Sequence, residues 1–185
     1  VELRRDSIDI WSIDNEAVLR ADVRIEMAKD DLDKGNFRHY MQKEIFAQPQ
    51  VLQETMEGRI GKQAVLEESF GVGAKDIFDR TEAITIVACG TSYYAASVAR
   101  YWIEDLVGIP CQVEIASEFR YRKIAVMPNT LFVTITQSGE TADTLAALRI
   151  AKEAGYFATL TICNVPTSST VRESDLAVML HVGTE

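Results

Sequence analysis

The sequence predicts an α/β fold: a doubly wound, parallel five-stranded sheet of the flavodoxin-like kind, with helices on both faces. Three observations point there. From residue 84 onward, short apolar runs rich in β-branched residues recur at 84–88, 111–115, 131–135, 157–163 and 176–180. Helical patterns dense in Ala, Leu and Glu lie between several of them, and strands alternating with helices make a parallel sheet with right-handed crossovers. The passages from apolar run to helical pattern are rich in Gly, Ser and Thr. Such turns belong at the carboxyl edge of a parallel sheet, where ligands of open α/β folds bind.

The elements follow in order. Residues 1–29 alternate loosely, with Leu3, Ile8, Ile10, Trp11 and Ile13, then Val18, Leu19, Val23, Ile25 and Met27 as the apolar positions. Asp14-Asn15 supplies a turn, so a hairpin is expected. Two strands are marginally stable alone, and this piece is read as part of a sheet whose other strands lie outside the sequence. Residues 30–36 are polar and turn-rich, as a linker is. Residues 37–56 are helical in composition, with Tyr40, Met41, Ile45, Phe46 and Leu52 as candidate buried positions and Pro49 expected to bend or split the helix. Residues 58–73 hold four glycines and read as loop with room for a short helix, and 74–80 as a short helix.

The strand at 84–88 leads through Cys89-Gly90-Thr91-Ser92 to a helix over 92–107, closed by Gly108. A second strand at 111–115 is followed by a helix or turn at 116–122. The third, 131–135, passes through Thr136-Gln137-Ser138-Gly139-Glu140-Thr141 to a helix over 142–154, with Gly155 where a left-handed C′ residue belongs. The fourth strand ends at Cys163 before the hydroxyl-rich stretch Asn164 to Thr170. A short helix over 170–174 precedes the fifth.

The turn at 136–141 carries the functional signal. Three hydroxyls together with the unpaired N–H groups of a helix N-terminus make a neutral cradle for an anion, most naturally a phosphate. The same residues fit a plain N-cap at Ser138, with Glu140 and Asp143 complementing the helix dipole. Those two acids would repel a phosphate unless they point away. Thr91 and Ser92 repeat the pattern at a second turn, and convergence of such turns on one sheet edge favours a ligand over capping alone.

Other chemistries find little support. No G-x-G-x-x-G or G-x-x-x-x-G-K-[ST] fingerprint is present, and Gln137-Ser138-Gly139 lacks the start of a nucleophile elbow. His39 and His181 are the chain's two histidines and suggest neither a triad nor a metal site. Cys89, Cys111 and Cys163 lack metal or disulfide spacing and read as buried thiols. The net charge of −9 argues against nucleic acid, no run is long enough to span a membrane, and a cytoplasmic setting without cofactor or metal is expected. Arg120, Arg122 and Lys123 form a basic cluster that could balance a phosphate, face a partner or simply be solvated. Tyr93, Tyr94, Tyr101 and Trp102 give one helix an aromatic side suited to core or dimer contact. The beginning at Val1-Glu2-Leu3-Arg4-Arg5, neither a start methionine nor a signal peptide, suggests an excised piece of a longer protein.

Four ordered motifs carry a family resemblance: 88–93 (Ala-Cys-Gly-Thr-Ser-Tyr), 114–121 (Glu-Ile-Ala-Ser-Glu-Phe-Arg-Tyr), 136–141 (Thr-Gln-Ser-Gly-Glu-Thr) and 163–165 (Cys-Asn-Val). Together they resemble the sugar isomerase (SIS) domain, and within it the first such domain of the glutamine–fructose-6-phosphate aminotransferases, the glucosamine-6-phosphate synthases. The helix beginning Phe37-Arg38-His39-Tyr40-Met41-Gln42-Lys43-Glu44-Ile45 is similar to one of theirs. The resemblance implies that residues 37–185 are a SIS domain and 1–29 the end of a preceding glutaminase module. It implies binding of fructose 6-phosphate or glucosamine 6-phosphate through Thr91, Ser92, Thr136, Gln137, Ser138 and Thr141, in a homodimer. Thr136 stands where the family often has Ser, which keeps the hydroxyl. The glutaminase cysteine, the isomerisation base, the ring-opening histidine and the sugar-binding lysine of the family all fall outside this sequence. The chain is therefore expected to bind rather than catalyse. A sugar-phosphate-sensing SIS module of a regulator is the alternative, and a purely structural dimerisation domain a third.

Overall fold

A computed structural model describes residues 1–20 and 33–183. At the N-terminus, β1 (Glu2–Leu3) pairs antiparallel with β2 (Ile8–Asp9). A further bridge joins Trp11 to Ala17 across a turn in which Asn15 takes φ 62°. The Asp14-Asn15 turn thus closes a small hairpin. Val23, Ile25 and Met27, read as its second half, lie outside the described residues.

The next element departs from expectation. Helix α1 (Tyr40–Met56) runs unbroken through Pro49 and buries no residue. Tyr40, Met41, Ile45, Phe46 and Leu52 are all exposed. An exposed helix can carry an interior proline because water reaches the carbonyl that the ring leaves unpaired. Its ties to the sheet are peripheral: the His181 N–H donates to Thr55 Oγ1 at 3.1 Å, and the Arg59 guanidinium donates to the Met179 carbonyl. A 3₁₀ turn at Glu67–Phe70 leads into α2 (Ala74–Arg80).

From there strands and helices alternate as expected: β3 (Ala83–Ala88), α3 (Gly90–Leu106), β4 (Cys111–Ile115), α4 (Ala116–Phe119), β5 (Thr130–Thr136), α5 (Ala142–Ala154), β6 (Ala158–Cys163), α6 (Ser169–Glu173) and β7 (Leu176–Met179). Gly155 ends α5 in the left-handed conformation, φ 98°. The five strands pair in parallel in the order β4-β3-β5-β6-β7, the flavodoxin-like order.

Alternate residues of the strands feed two cores. Ile86, Leu131, Val133, Leu160 and Leu176 pack with Ala74 of α2 and Ala96 of α3. Val87 and Phe132 face the other way, against Ala116 and Phe119 of α4 and Ala147, Leu148 and Ala151 of α5. A doubly covered sheet explains why its strands read as continuous apolar runs. Phe132 packs on Phe119 and Tyr156, ring centroids 5.3 and 5.0 Å apart, and burying such a ring is worth about 2–3 kcal/mol. Two buried threonines satisfy each other across β5 and β6, Thr134 Oγ1 donating to Thr161 Oγ1 at 2.9 Å. Tyr94, Tyr101 and Trp102 are not core: they are exposed, because α3 turns its small and aliphatic stripe, Ala96 and Ile103, to the sheet. Among the described residues no helix is long and apolar enough to cross a membrane.

Candidate functional site

Adjacent strands β3 and β5 end side by side, Ala88 opposite Ile135. Their following helices leave on opposite faces, α3 over one core and α5 over the other. The chain therefore parts at this edge, and the crevice at such a reversal is where open α/β sheets bind ligands. Gly90 (φ 57°) and Gly139 (φ 68°) take the positive φ that lets each strand turn sharply into its helix. Thr91 and Ser92 stand in the first turn of α3, and Thr141 is the N-cap of α5.

The turn after β5 is held from within and behind. Thr136 is 5% exposed, and its Oγ1 accepts from the Gly139 N–H at 3.2 Å. Ser138 is exposed, and its Oγ accepts from the Glu140 N–H at 3.2 Å. The Gln137 carbonyl accepts from the Asn164 N–H at 3.3 Å, and the Gly139 carbonyl from the Thr170 N–H at 3.2 Å. A Cβ at residue 139 would lie 2.2 Å from Ser168 Oγ. The loop after β6 thus braces the cradle, with Ser168 Oγ 3.4 Å from both Cys163 Sγ and Thr170 Oγ1.

Both worrying acids are engaged elsewhere. Glu140 Oε1 accepts from the Ser169 N–H at 2.6 Å, and that bond holds its carboxyl below the usual carboxylate range. Asp143 pairs with Arg120 at 2.5 Å. Arg122 pairs with Glu114 through both guanidinium arms. Arg120 and Arg122 are therefore committed to carboxylates and are no free counter-charges for a phosphate, while Lys123, the third member of the cluster, is exposed.

The cradle's donors remain. Neither Cys89 at the head of α3 nor Thr141 at the head of α5 makes a side-chain capping bond. The first-turn N–H groups of both helices lack intrahelical acceptors and carry the positive end of the dipole. Ser138 is not the cap of α5. It folds the turn, while Thr91 and Thr141 are exposed on either side of the crevice. Thr136 is set back, so its hydroxyl shapes the turn more than it faces outward. Sequence reasoning missed the bracing by Ser168 and Thr170 and the partner of Arg120. The hydroxyl-rich stretch at 167–170 was the visible signal for the first; the second, spanning 23 positions in sequence, left none.

Gln137 also lines a cavity of about 480 Å³ shared with α1 and residues 181–183. His181 borders it, whereas His39 stands at the head of α1. No group of His, Cys, Asp and Glu able to hold a metal occurs among the described residues. All three cysteines are free thiols; Cys111 and Cys163 are buried and Cys89 partly so.

Known proteins match this architecture. The SIS domain family model matches residues 77–185. The glutamine–fructose-6-phosphate aminotransferase (isomerising) of Pseudomonas aeruginosa is 58% identical over 184 residues, covering 100% of this chain and 30% of that protein. The Haemophilus influenzae enzyme of the same name is 56% identical with the same coverage. The chain thus spans about 30% of the length of these curated relatives. The C-terminal domain of glucosamine-fructose-6-phosphate aminotransferase from Francisella tularensis superposes with a TM-score of 0.79 at 50% identity, covering 83% of this chain and 43% of that one. A glucosamine-6-phosphate deaminase from Thermotoga maritima (TM-score 0.59, 24% identity, 75% and 39% covered) shares the fold. With its five parallel strands, its crevice at the β3/β5 reversal and the family match over its whole sheet, the chain belongs to the SIS domain family.

Proposed function

We propose that this chain is the phosphosugar-binding part of a glutamine-dependent aminotransferase that turns fructose 6-phosphate and glutamine into glucosamine 6-phosphate and glutamate. The observation that carries the reading is the identity of 58% to such an enzyme along the entire chain. In this reading residues 37–185 form the first SIS domain, 30–36 a linker and 1–29 the end of a glutaminase module, in a cytoplasmic homodimer. Thr91 and Ser92 at the head of α3, and Thr136, Gln137, Ser138 and Thr141 at the head of α5, hold the substrate. The phosphate accepts hydrogen bonds from first-turn N–H groups and hydroxyls, favoured by two helix dipoles rather than by a lysine or arginine. Gln137, with both a donor and an acceptor, suits sugar hydroxyls. Ring opening, addition of ammonia to the ketose carbonyl and the ketose-to-aldose proton transfer fall to residues outside this chain.

Calorimetric titration with fructose 6-phosphate tests the reading, with fructose and inorganic phosphate as controls. Saturable binding that requires both sugar and phosphate is expected. Ser138→Ala combined with Thr141→Ala should weaken it while the domain stays folded, at about 1 kcal/mol per lost neutral hydrogen bond. Unchanged affinity in that double variant would remove the cradle from the account.

A further inference from the structure

The proposed phosphate cradle has two carboxylates, Glu140 and Asp143, on its α5 side, which for an anion site is a liability. Asp143 is the second residue of α5, so its charge sits within the same helical turn as the donor N–H groups. Arg120 reaches it from the end of α4 at 2.5 Å, and the two side chains are 30% and 37% exposed. Arg120 also lies over its neighbour Tyr121, 4.8 Å from the ring centroid. Two further nearby charges are engaged: Glu140 is bound to the Ser169 N–H, and Arg122 to Glu114.

Resting on the sugar-phosphate reading, we infer that Arg120 is a specificity-determining positioning residue. By neutralising Asp143 at the head of α5, it permits a dianionic phosphate in the cradle without touching the ligand itself. The net charge of the Arg120–Asp143 pair, not the presence of either partner, then sets phosphate affinity. A simple packing role for the pair makes the opposite claim, that loss of either partner weakens binding.

Affinity for fructose 6-phosphate, titrated into the full chain at low and at raised ionic strength, separates the two. Arg120→Ala leaves Asp143 unpaired beside the cradle and should weaken binding on the order of tenfold at low salt, with the deficit shrinking as salt rises. Asp143→Asn leaves Arg120 unpaired and should tighten binding several-fold under the same conditions. The double variant Arg120→Ala/Asp143→Asn restores a neutral pair and should return to near the parent affinity. Weaker binding by Asp143→Asn, or a double variant as poor as Arg120→Ala alone, would overturn the inference in favour of packing or direct contact. Should Arg120→Ala fail to fold, the sign of the Asp143→Asn effect decides the matter alone. A folded parent chain that binds no fructose 6-phosphate would instead remove the sugar-phosphate reading, and the inference with it.

Discussion

Gly139 shows how much one residue fixes. Its φ of 68° lies in the left-handed region, and an added Cβ would lie 2.2 Å from Ser168 Oγ and 2.7 Å from Thr170 Oγ1. Gly139→Ala should therefore combine conformational strain of about 1–2 kcal/mol with overpacking of about 1–3 kcal/mol. Gly90 has a similar φ of 57° with nothing within 4 Å of an added Cβ, so Gly90→Ala should show the strain alone. Urea unfolding of the two variants tests this, and equal losses would refute the close approach behind residue 139. Residues of this kind were half legible. The glycine turn and the exposed hydroxyls could be read from local sequence, since turn chemistry is local. Arg120–Asp143 and Gly139–Ser168 could not, because tertiary packing alone brings those residues together.

At the scale of elements, α5 positions the cradle by anchoring its own middle. Leu148 is 0% exposed and packs in the core beneath α5 with Ala147, Ala151 and Phe132. Leu148→Ala should cost about 2–5 kcal/mol in chemical denaturation, the range for a buried leucine that leaves a cavity. A loss below about 1 kcal/mol would mean that α5 is not docked as described. The five strands and the helices between them were visible in the sequence because a sheet covered on both sides demands apolar runs, whatever its neighbours. The burial of α1 was misjudged for the converse reason: a helix may carry apolar residues without having a surface to bury them against, and α1 buries none. Composition reports what an element is able to bury, not what lies next to it.

For the molecule as a whole, alkaline stability has an identifiable contributor. Cys111 starts β4 at 2% exposure, and burial, reinforced by the Glu104 charge and opposed by Arg100, pushes its thiol up from 9.0 to about 11. A pKa raised by folding means the neutral thiol is favoured in the native state. That stability is complete below about pH 9 and is lost as pH rises through about 11. The difference in unfolding free energy between the parent and Cys111→Ala should therefore shrink across that interval, by on the order of 2 kcal/mol; a constant difference would show the thiol to be better solvated. The strand order carries a further consequence, in time rather than space. The central strand β3 pairs with β4 and with β5, and β5 does not begin until Thr130. At about 5–20 residues per second on the ribosome, the first half of the crevice waits several seconds for the second to be made. Until then, the edge of β3 that β5 will cover is an open strand for which a nascent chain has no partner of its own.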